Sequence, residues 1–276
     1  MATRKFAVFG NPVEHSRSPE IHQAFARQAG IDITYDKILV PTNEFTTVVK
    51  RFVDDGGDGF NVTVPFKEEA HALADSLSPG AGATGAVNTV SVDEGRLIGY
   101  NTDGPGLITD MVGNLGWSLG DRRILILGAG GAVRGILWAM LQQHPKSIDI
   151  FNRTAERARQ LIADYDDSRL HSVDEPGGVY DVVVNGTSAA LQGQSISLPD
   201  GIIGKDTRCY DLVYGGEATA FTSWGRKQGS AEAVAGLGML VEQAALAFNI
   251  WTDFKPETKS VIRDLRGRID NPKETP

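Results

Sequence analysis

Lys67 closes the run Asn61-Val-Thr-Val-Pro-Phe-Lys67, and its setting gives the charge a use. Phe60, Val62 and Val64 alternate with Asn61 and Thr63 in the two-residue period of a strand. Pro65 has no N–H to give a ladder and is expected to end that strand, after which Lys67 opens a helical stretch. An ammonium at the carboxyl end of a strand lies where α/β sheets hold their ligands. There it can stabilise negative charge developing on an oxygen and supply the proton. Asp103, in Asn101-Thr-Asp103-Gly, is the second candidate: it either caps the helix that Pro105 begins or orients a catalytic group. Asn88 is polar in an apolar context and must find a hydrogen-bond partner or face a ligand.

Two further groups of residues suit binding. In Ser16-Arg-Ser18-Pro19, Ser18 with Pro19 reads as a helix cap, whereas Ser16 has no such task. Two hydroxyls near a helix start suit a polyol or a carboxylate. Gln243 interrupts a helix that is apolar nearly all round, so it needs partners, and a ligand can supply them. Gly128-Ala129-Gly130-Gly131-Ala132-Val133 follows the apolar strand Ile124 to Leu127 and precedes a helix. A glycine turn in that place lets backbone N–H groups approach a pyrophosphate at the helix N-terminus. After the next strand, where an acidic residue binds the ribose of NAD, the chain has Asn152-Arg153-Thr154, with Arg157 one turn on. No carboxylate repels a 2′-phosphate there and two guanidiniums can bind one, which reads as NADP. Thr187 and Ser188 are small and polar at the end of a later strand, where a cofactor ring passes.

The elements that must position these groups follow in order. Phe6 to Phe9, Tyr35 to Val40 and the strand before Lys67 alternate with two helices, one closed by Gly30 and one whose expected cap is Asn43. This β-α-β-α-β order calls for parallel pairing with crossover helices. A helix from Lys67 to Leu77, a Gly/Ala-rich turn over 80–86 and a hairpin, Val87 to Val92 with Arg96 to Tyr100, complete the first part. The second part repeats strand and helix from Arg122 on, with strands at Ile148 to Phe151, Val179 to Asn185 and Arg208 to Tyr214, and loop from Leu191 to Lys205. The expected division is 1–103 with 238–276, and 104–237 between.

Composition narrows the class. A net charge of −8 over 276 residues, with no basic run, argues against nucleic acid or an anionic membrane as the main partner. No apolar stretch approaches the roughly 20 residues that span a bilayer. Phe6 to Phe9 is too short for a signal-peptide core, so a cytoplasmic protein is expected. One cysteine, Cys209, has no disulfide partner, and five scattered histidines form no ligand cluster, so no metal is expected. A small molecule is the expected partner of a monomer or homodimer.

Together, Gly-Asn-Pro-x-x-His-Ser-x-Ser-Pro, Asn-Val-Thr-Val-Pro-Phe-Lys, Gly-Ala-Val-Asn-Thr, Asn-Thr-Asp-Gly, Gly-Ala-Gly-Gly-Ala, Asn-Arg-Thr and Gly-Leu-Gly-Met-Leu-Val-x-Gln resemble the shikimate dehydrogenase family along nearly the whole chain. The resemblance implies NADP-dependent, reversible reduction of 3-dehydroshikimate in aromatic amino-acid biosynthesis. It implies a two-domain α/β fold: an N-terminal substrate domain completed by C-terminal helices, and a Rossmann-type NADP-binding domain. Lys67 is then the acid and base, with Asp103 beside it. Ser16, Ser18, Thr63, Asn88, Tyr214 and Gln243 hold the substrate. Gly128, Ala129, Gly130, Gly131 and Ala132 wrap the pyrophosphate; Asn152, Arg153, Thr154 and Arg157 take the adenosine phosphate; and Thr187, Ser188, Leu212 and Gly236 line the nicotinamide side. Three positions depart from the family pattern: Gly186 where alanine is general, Ala220 within a usual Thr-Pro-Phe, and Ala235 where aspartate is frequent. A quinate-directed paralogue using NAD and a non-catalytic NADP sensor are the competing readings.

Overall fold

A computed structural model describes residues 3–187, 198–215 and 218–270, so Ser188 lies outside the described residues. Contacts divide the chain into two compact units, Met1–Gly106 with Val241–Arg263, and Leu107–Leu240 with Asp264–Pro276.

In the first unit, β1 (Arg4–Gly10), α1 (Ser18–Ala29), β2 (Ile33–Leu39), α2 (Phe45–Asp54) and β3 (Gly59–Val62) form the expected parallel β-α-β-α-β array. It continues through α3 (Lys67–Leu73), β4 (Ser76–Leu77), α4 (Pro79–Thr84), β5 (Thr89–Asp93) and β6 (Arg96–Tyr100). The six strands lie in the order β2-β1-β3-β5-β6-β4, with β5 antiparallel to both neighbours. Phe9 fills the core on one face, edge-on to Phe45, Phe52 and Phe60. Phe66 stacks on Phe45 and is buried, which pins the residue just ahead of Lys67.

Several boundaries differ from expectation. Strand β3 ends at Val62, not at Pro65, because its partner β1 stops at Gly10. Beyond it only isolated bonds remain, Thr63 N–H to Phe9 O at 2.9 Å and Asn11 N–H to Val64 O at 3.0 Å, and Val64 is exposed. Helix α3 stops at Leu73 because Ser76 and Leu77 pair with β6. The turn expected over 80–86 is largely helix α4, since Ser78 caps it by accepting from Ala81 N–H and Pro79 suits its first turn. Ser18 is not a cap: Arg17 holds that position without a side-chain bond, and Ser18 is the first helical residue. Nor is Asn43, which precedes the cap position at Glu44.

The second unit begins in α5 (Asp103–Ile108), which runs into a π-helical turn, Thr109–Asn114. Strands β7 (Arg123–Leu127), β8 (Ser147–Phe151), β9 (Leu170–Ser172), β10 (Tyr180–Asn185), β11 (Ile203–Asp211) and β12 (Glu232–Ala235) form an all-parallel sheet ordered β12-β11-β10-β7-β8-β9. Helices α6 (Gly131–Leu141), α7 (Ala155–Ala163) and α8 (Ala220–Lys227) connect strands of this sheet. Strand order reverses between β7 and β10, which makes the carboxyl ends of these two strands the place where such sheets bind a dinucleotide. Strand β11 starts at Ile203, inside the stretch read as loop, and ends at Asp211. Its early residues lack alternation because the register with β10 shifts, with the Thr207 hydroxyl donating to Tyr180 O across the irregularity. Cys209 is fully buried in the core. Helices α9 (Leu237–Thr252) and α10 (Lys259–Asp270) are the last described elements, and no helix among the described residues is long and apolar enough to cross a membrane.

Candidate active site and cofactor loop

Lys67 is the first residue of α3 and Asp103 the first of α5, 36 residues apart in the chain. Lys67 Nζ donates to Asp103 Oδ2 at 2.6 Å, and both side chains are largely sheltered. The other carboxylate oxygen accepts from Asn88 Nδ2 at 2.9 Å, and the Asp103 N–H donates to Asn101 Oδ1. Asn88 is itself fixed: its Oδ1 accepts from Thr102 N–H at 2.8 Å, and its Nδ2 also donates to Thr102 Oγ1. Gln243, from α9, joins through Oε1, 3.4 Å from both Asn88 Nδ2 and Thr102 Oγ1. Gly106 lets this happen, because a Cβ there falls within 2.8 Å of the Gln243 backbone. Lys67, Asp103, Asn88 and Gln243 are thus one cluster, with a cation held at an acceptor-only carboxylate.

Ser16 and Ser18 also meet, Ser16 Oγ donating to Ser18 Oγ at 3.1 Å. Thr63 lies over Gly10, where a Cβ falls 2.4 Å from its methyl. Tyr214 is half-buried in the second unit, three residues past β11.

Four residues that sequence reasoning did not single out link Ser18 to the Asn88 cluster. The Tyr35 hydroxyl donates to Asn61 Oδ1 at 2.6 Å, and Asn61 Nδ2 donates to Thr89 Oγ1 at 2.9 Å and to Asn88 O at 3.2 Å. Thr89 donates to Asn88 Oδ1, and Thr102 stands against both. Burial pushes the Tyr35 phenol above its ordinary value, with a hydrogen bond from Ser18 opposing it. His22 stacks on Tyr35 with ring centroids 4.5 Å apart, and burial pushes its imidazole down to about 3, Asn61 acting the other way. The available signal was a polar side chain inside an apolar strand: Asn61 and Thr89 face each other across β3 and β5.

In the second unit, Gly128 (φ 103°) turns the chain out of β7, its N–H donating to Phe151 O. A Cβ on it falls 3.1 Å from Gly186 O, so the turn admits only glycine comfortably. Gly130 and Gly131 are exposed, and a Cβ on either meets nothing within 4 Å. Ala129 packs against the core while Ala132 is exposed. Helix α6 has no side-chain cap at its N-terminus and no acidic residue in its first turn, so its free N–H groups can donate to an anion. At the end of β8, Asn152 Nδ2 donates to Thr154 O, and Arg153, Thr154 and Arg157 are exposed. Thr187 follows β10, Leu212 follows β11 and Gly236 follows β12, so these three share the carboxyl edge of one sheet.

One departure from family pattern has a local explanation. A Cβ on Gly186 falls 2.4 Å from Val133 Cγ2, so glycine accommodates the valine of the loop's Gly-x-Gly-x-x-Val. Ala220 is the first residue of α8, which Thr219 caps by accepting from Thr222 N–H at 3.1 Å, a position that proline also suits. Nothing in the structure explains Ala220 or Ala235, the last residue of β12.

Three family models match the chain: the shikimate dehydrogenase substrate binding domain over residues 8–90, shikimate / quinate 5-dehydrogenase over 111–192, and the shikimate 5'-dehydrogenase C-terminal domain over 236–266. Shikimate dehydrogenase (NADP(+)) of Alkalilimnicola ehrlichii is 50% identical, covering 96% of this chain and 99% of its own. Among solved structures, the Ael1 enzyme of Pseudomonas putida is 40% identical with a TM-score of 0.88, covering 95% of this chain and 98% of its own. Shikimate 5-dehydrogenase of Thermus thermophilus in complex with NADP(H) and shikimate is 34% identical with a TM-score of 0.87, covering 97% and 100%. With half of its residues shared over almost its full length, the chain belongs to the shikimate dehydrogenase family.

Proposed function

We infer that this chain catalyses the reversible, NADP-dependent reduction of 3-dehydroshikimate to shikimate, a step of aromatic amino-acid biosynthesis. The observation that carries the reading is the Lys67–Asp103 ion pair at 2.6 Å, in a chain half identical to an NADP-dependent shikimate dehydrogenase. The first unit carries the proton chemistry and all of the substrate residues but Tyr214, and the second carries the cofactor.

The residues fit that cofactor. In the loop Gly128, Ala129, Gly130, Gly131 and Ala132, the two glycines Gly130 and Gly131 leave open space before the uncapped N-terminus of α6, as a pyrophosphate requires. Asn152, Arg153, Thr154 and Arg157 offer two guanidiniums and no carboxylate to the 2′-phosphate. Thr187, Leu212 and Gly236 would line the nicotinamide side, to which Ser188 is also assigned, and the nicotinamide would supply the hydride when NADPH is bound.

Lys67 holds a proton at Nζ. As the ring ketone is reduced, negative charge develops on its oxygen; the ammonium stabilises it and delivers the proton, a contribution of about 10²–10⁴-fold. Asp103 keeps the ammonium aimed. Asn88, bonded to the other carboxylate oxygen, stops the carboxylate from turning away. Ser16, Ser18, Thr63, Asn88, Tyr214 and Gln243 take the substrate's carboxylate and hydroxyls. The enzyme works in the cytoplasm as a monomer or homodimer.

A second reading, a quinate-directed enzyme using NAD, is favoured only by the shikimate / quinate model over residues 111–192. Arg153 and Arg157 oppose it, and the paired Lys67 and Asp103 oppose a sensor without chemistry. Absorbance at the NADPH band separates these, using shikimate or quinate with NADP+ or NAD+. Shikimate with NADP+ gives the highest turnover in this reading; preference for quinate with NAD+ overturns it.

A further inference from the structure

Asp211 belongs to none of the groups above, yet its carboxylate is fully buried at the carboxyl end of β11. Its neighbours in the strand, Cys209 and Tyr210, are core residues, and an apolar side chain is often the cheaper occupant of such a place. The carboxylate is instead saturated with donors from three separate segments. Oδ1 accepts from Asn185 Nδ2 at 2.9 Å and from Val213 N–H at 3.1 Å; Oδ2 accepts from the Thr219 hydroxyl at 2.5 Å. Asn185 passes the arrangement on, its Oδ1 accepting from the Thr187 hydroxyl at 2.7 Å and the Thr187 N–H at 3.1 Å. Its carbonyl accepts from Leu212 N–H at 2.9 Å, and Val213 O accepts from Gly236 N–H at 3.1 Å. Gly236 fits closely, since a Cβ there falls 2.9 Å from Asp211 O and 2.8 Å from Leu212 O.

Three described residues assigned to the nicotinamide side, Thr187, Leu212 and Gly236, therefore hang on one buried network. We propose that Asp211 is a positioning residue for the nicotinamide end of the cofactor: its two oxygens tie the segments after β10 and β11 to the start of α8. The proposal rests on the NADP reading above. It differs from a role in holding the sheet together in one respect. The phosphate-binding groups, Gly130 and Gly131 for the pyrophosphate and Arg153 for the adenosine phosphate, have no hydrogen bond to this network among the described residues.

That separation supplies the test. Turnover of shikimate with NADP+ is measured for the full chain alongside binding of adenosine 2′,5′-bisphosphate, which carries the phosphates but no nicotinamide. Asp211→Ala is expected to lower kcat at least tenfold while the bisphosphate dissociation constant stays within twofold of wild type. Asp211→Asn is expected to recover most of the loss: its Oδ1 can still accept from Asn185 and Val213, and its amide can donate to Thr219 Oγ1. If Asp211→Ala does not fold, Thr219→Val removes one tie and is expected to lower kcat at least threefold with bisphosphate binding unchanged. An Asp211→Ala or Thr219→Val variant with kcat within twofold of wild type, or with bisphosphate binding weakened as much as kcat, overturns the proposal. Wild-type chain that reduces no NADP+ with shikimate overturns the functional reading and this proposal together.

Discussion

Lys67 Nζ lies 2.6 Å from Asp103 Oδ2, and the second oxygen of that carboxylate is held by Asn88 Nδ2 at 2.9 Å. The ammonium is therefore aimed by a carboxylate that is itself anchored. In Lys67→Ala the proposed proton donor is gone, and kcat should fall by about 10²–10⁴-fold. In Asp103→Asn the lysine remains but loses its anchor, so a smaller fall in kcat is expected. Steady-state rates with shikimate and NADP+ check both; a Lys67→Ala rate within a few fold of wild type removes the assigned chemistry.

Arg153 and Arg157 are exposed at the end of β8, with no carboxylate in Asn152-Arg153-Thr154 to compete for them. Hydrogen bonds between ionised groups contribute about 1.5–3 kcal/mol, so Arg153→Ala should raise the KM for NADP+ by roughly 10–100-fold. The KM for shikimate should stay within about twofold, because the change leaves the substrate groups alone. An unchanged KM for NADP+ excludes the 2′-phosphate role.

Gly186 has no room for a side chain while Val133 occupies the space beside it. Gly186→Ala forces the valine methyl or the backbone aside, an overpacking cost of about 1–3 kcal/mol. Val133→Ala in the same chain should restore most of that loss, since the clash is pairwise. Urea unfolding of the two single variants and the double variant reads the coupling; strictly additive costs would show that the two positions do not compete.

His22 is buried against Tyr35 and its imidazole is pushed down to about 3 in the folded chain, below the ordinary 6.5. The unfolded chain therefore binds a proton that the folded chain refuses as pH falls below 6.5. Stability is complete above that pH and is lost progressively towards pH 3, with about 2 kcal/mol gone between pH 7 and pH 5. His22→Phe should remove this component of the acid loss. Unfolding midpoints at pH 5 and pH 7 measure it, and an equal pH dependence in the variant contradicts the assignment.

Much of this molecule was legible in its residues. Alternating strand and helix periods, broken by glycine and proline, announced parallel β-α-β units because burial of one face dictates those periods. The glycine turn after Leu127 and the arginines after Phe151 are readable because both depend on residues close together in sequence. Ser18 and Asn43 were misread for a related reason: a residue type that often caps a helix says nothing of what else its side chain can reach.

The sequence by itself determined the α/β class and the glycine loop at the head of α6, and it singled out Lys67 as the candidate for the chemistry. Only the tertiary structure decided what surrounds that lysine. Strand register puts Asn61 opposite Thr89, and the folding of distant segments brings Asn88 to Asp103 and Asp211 to Asn185 and Thr219. Periodicity reports which face of an element is buried, a property of neighbours in the chain. A buried polar side chain must instead find its donor or acceptor among residues that only the folded chain brings within about 3 Å, and no local pattern encodes which those are.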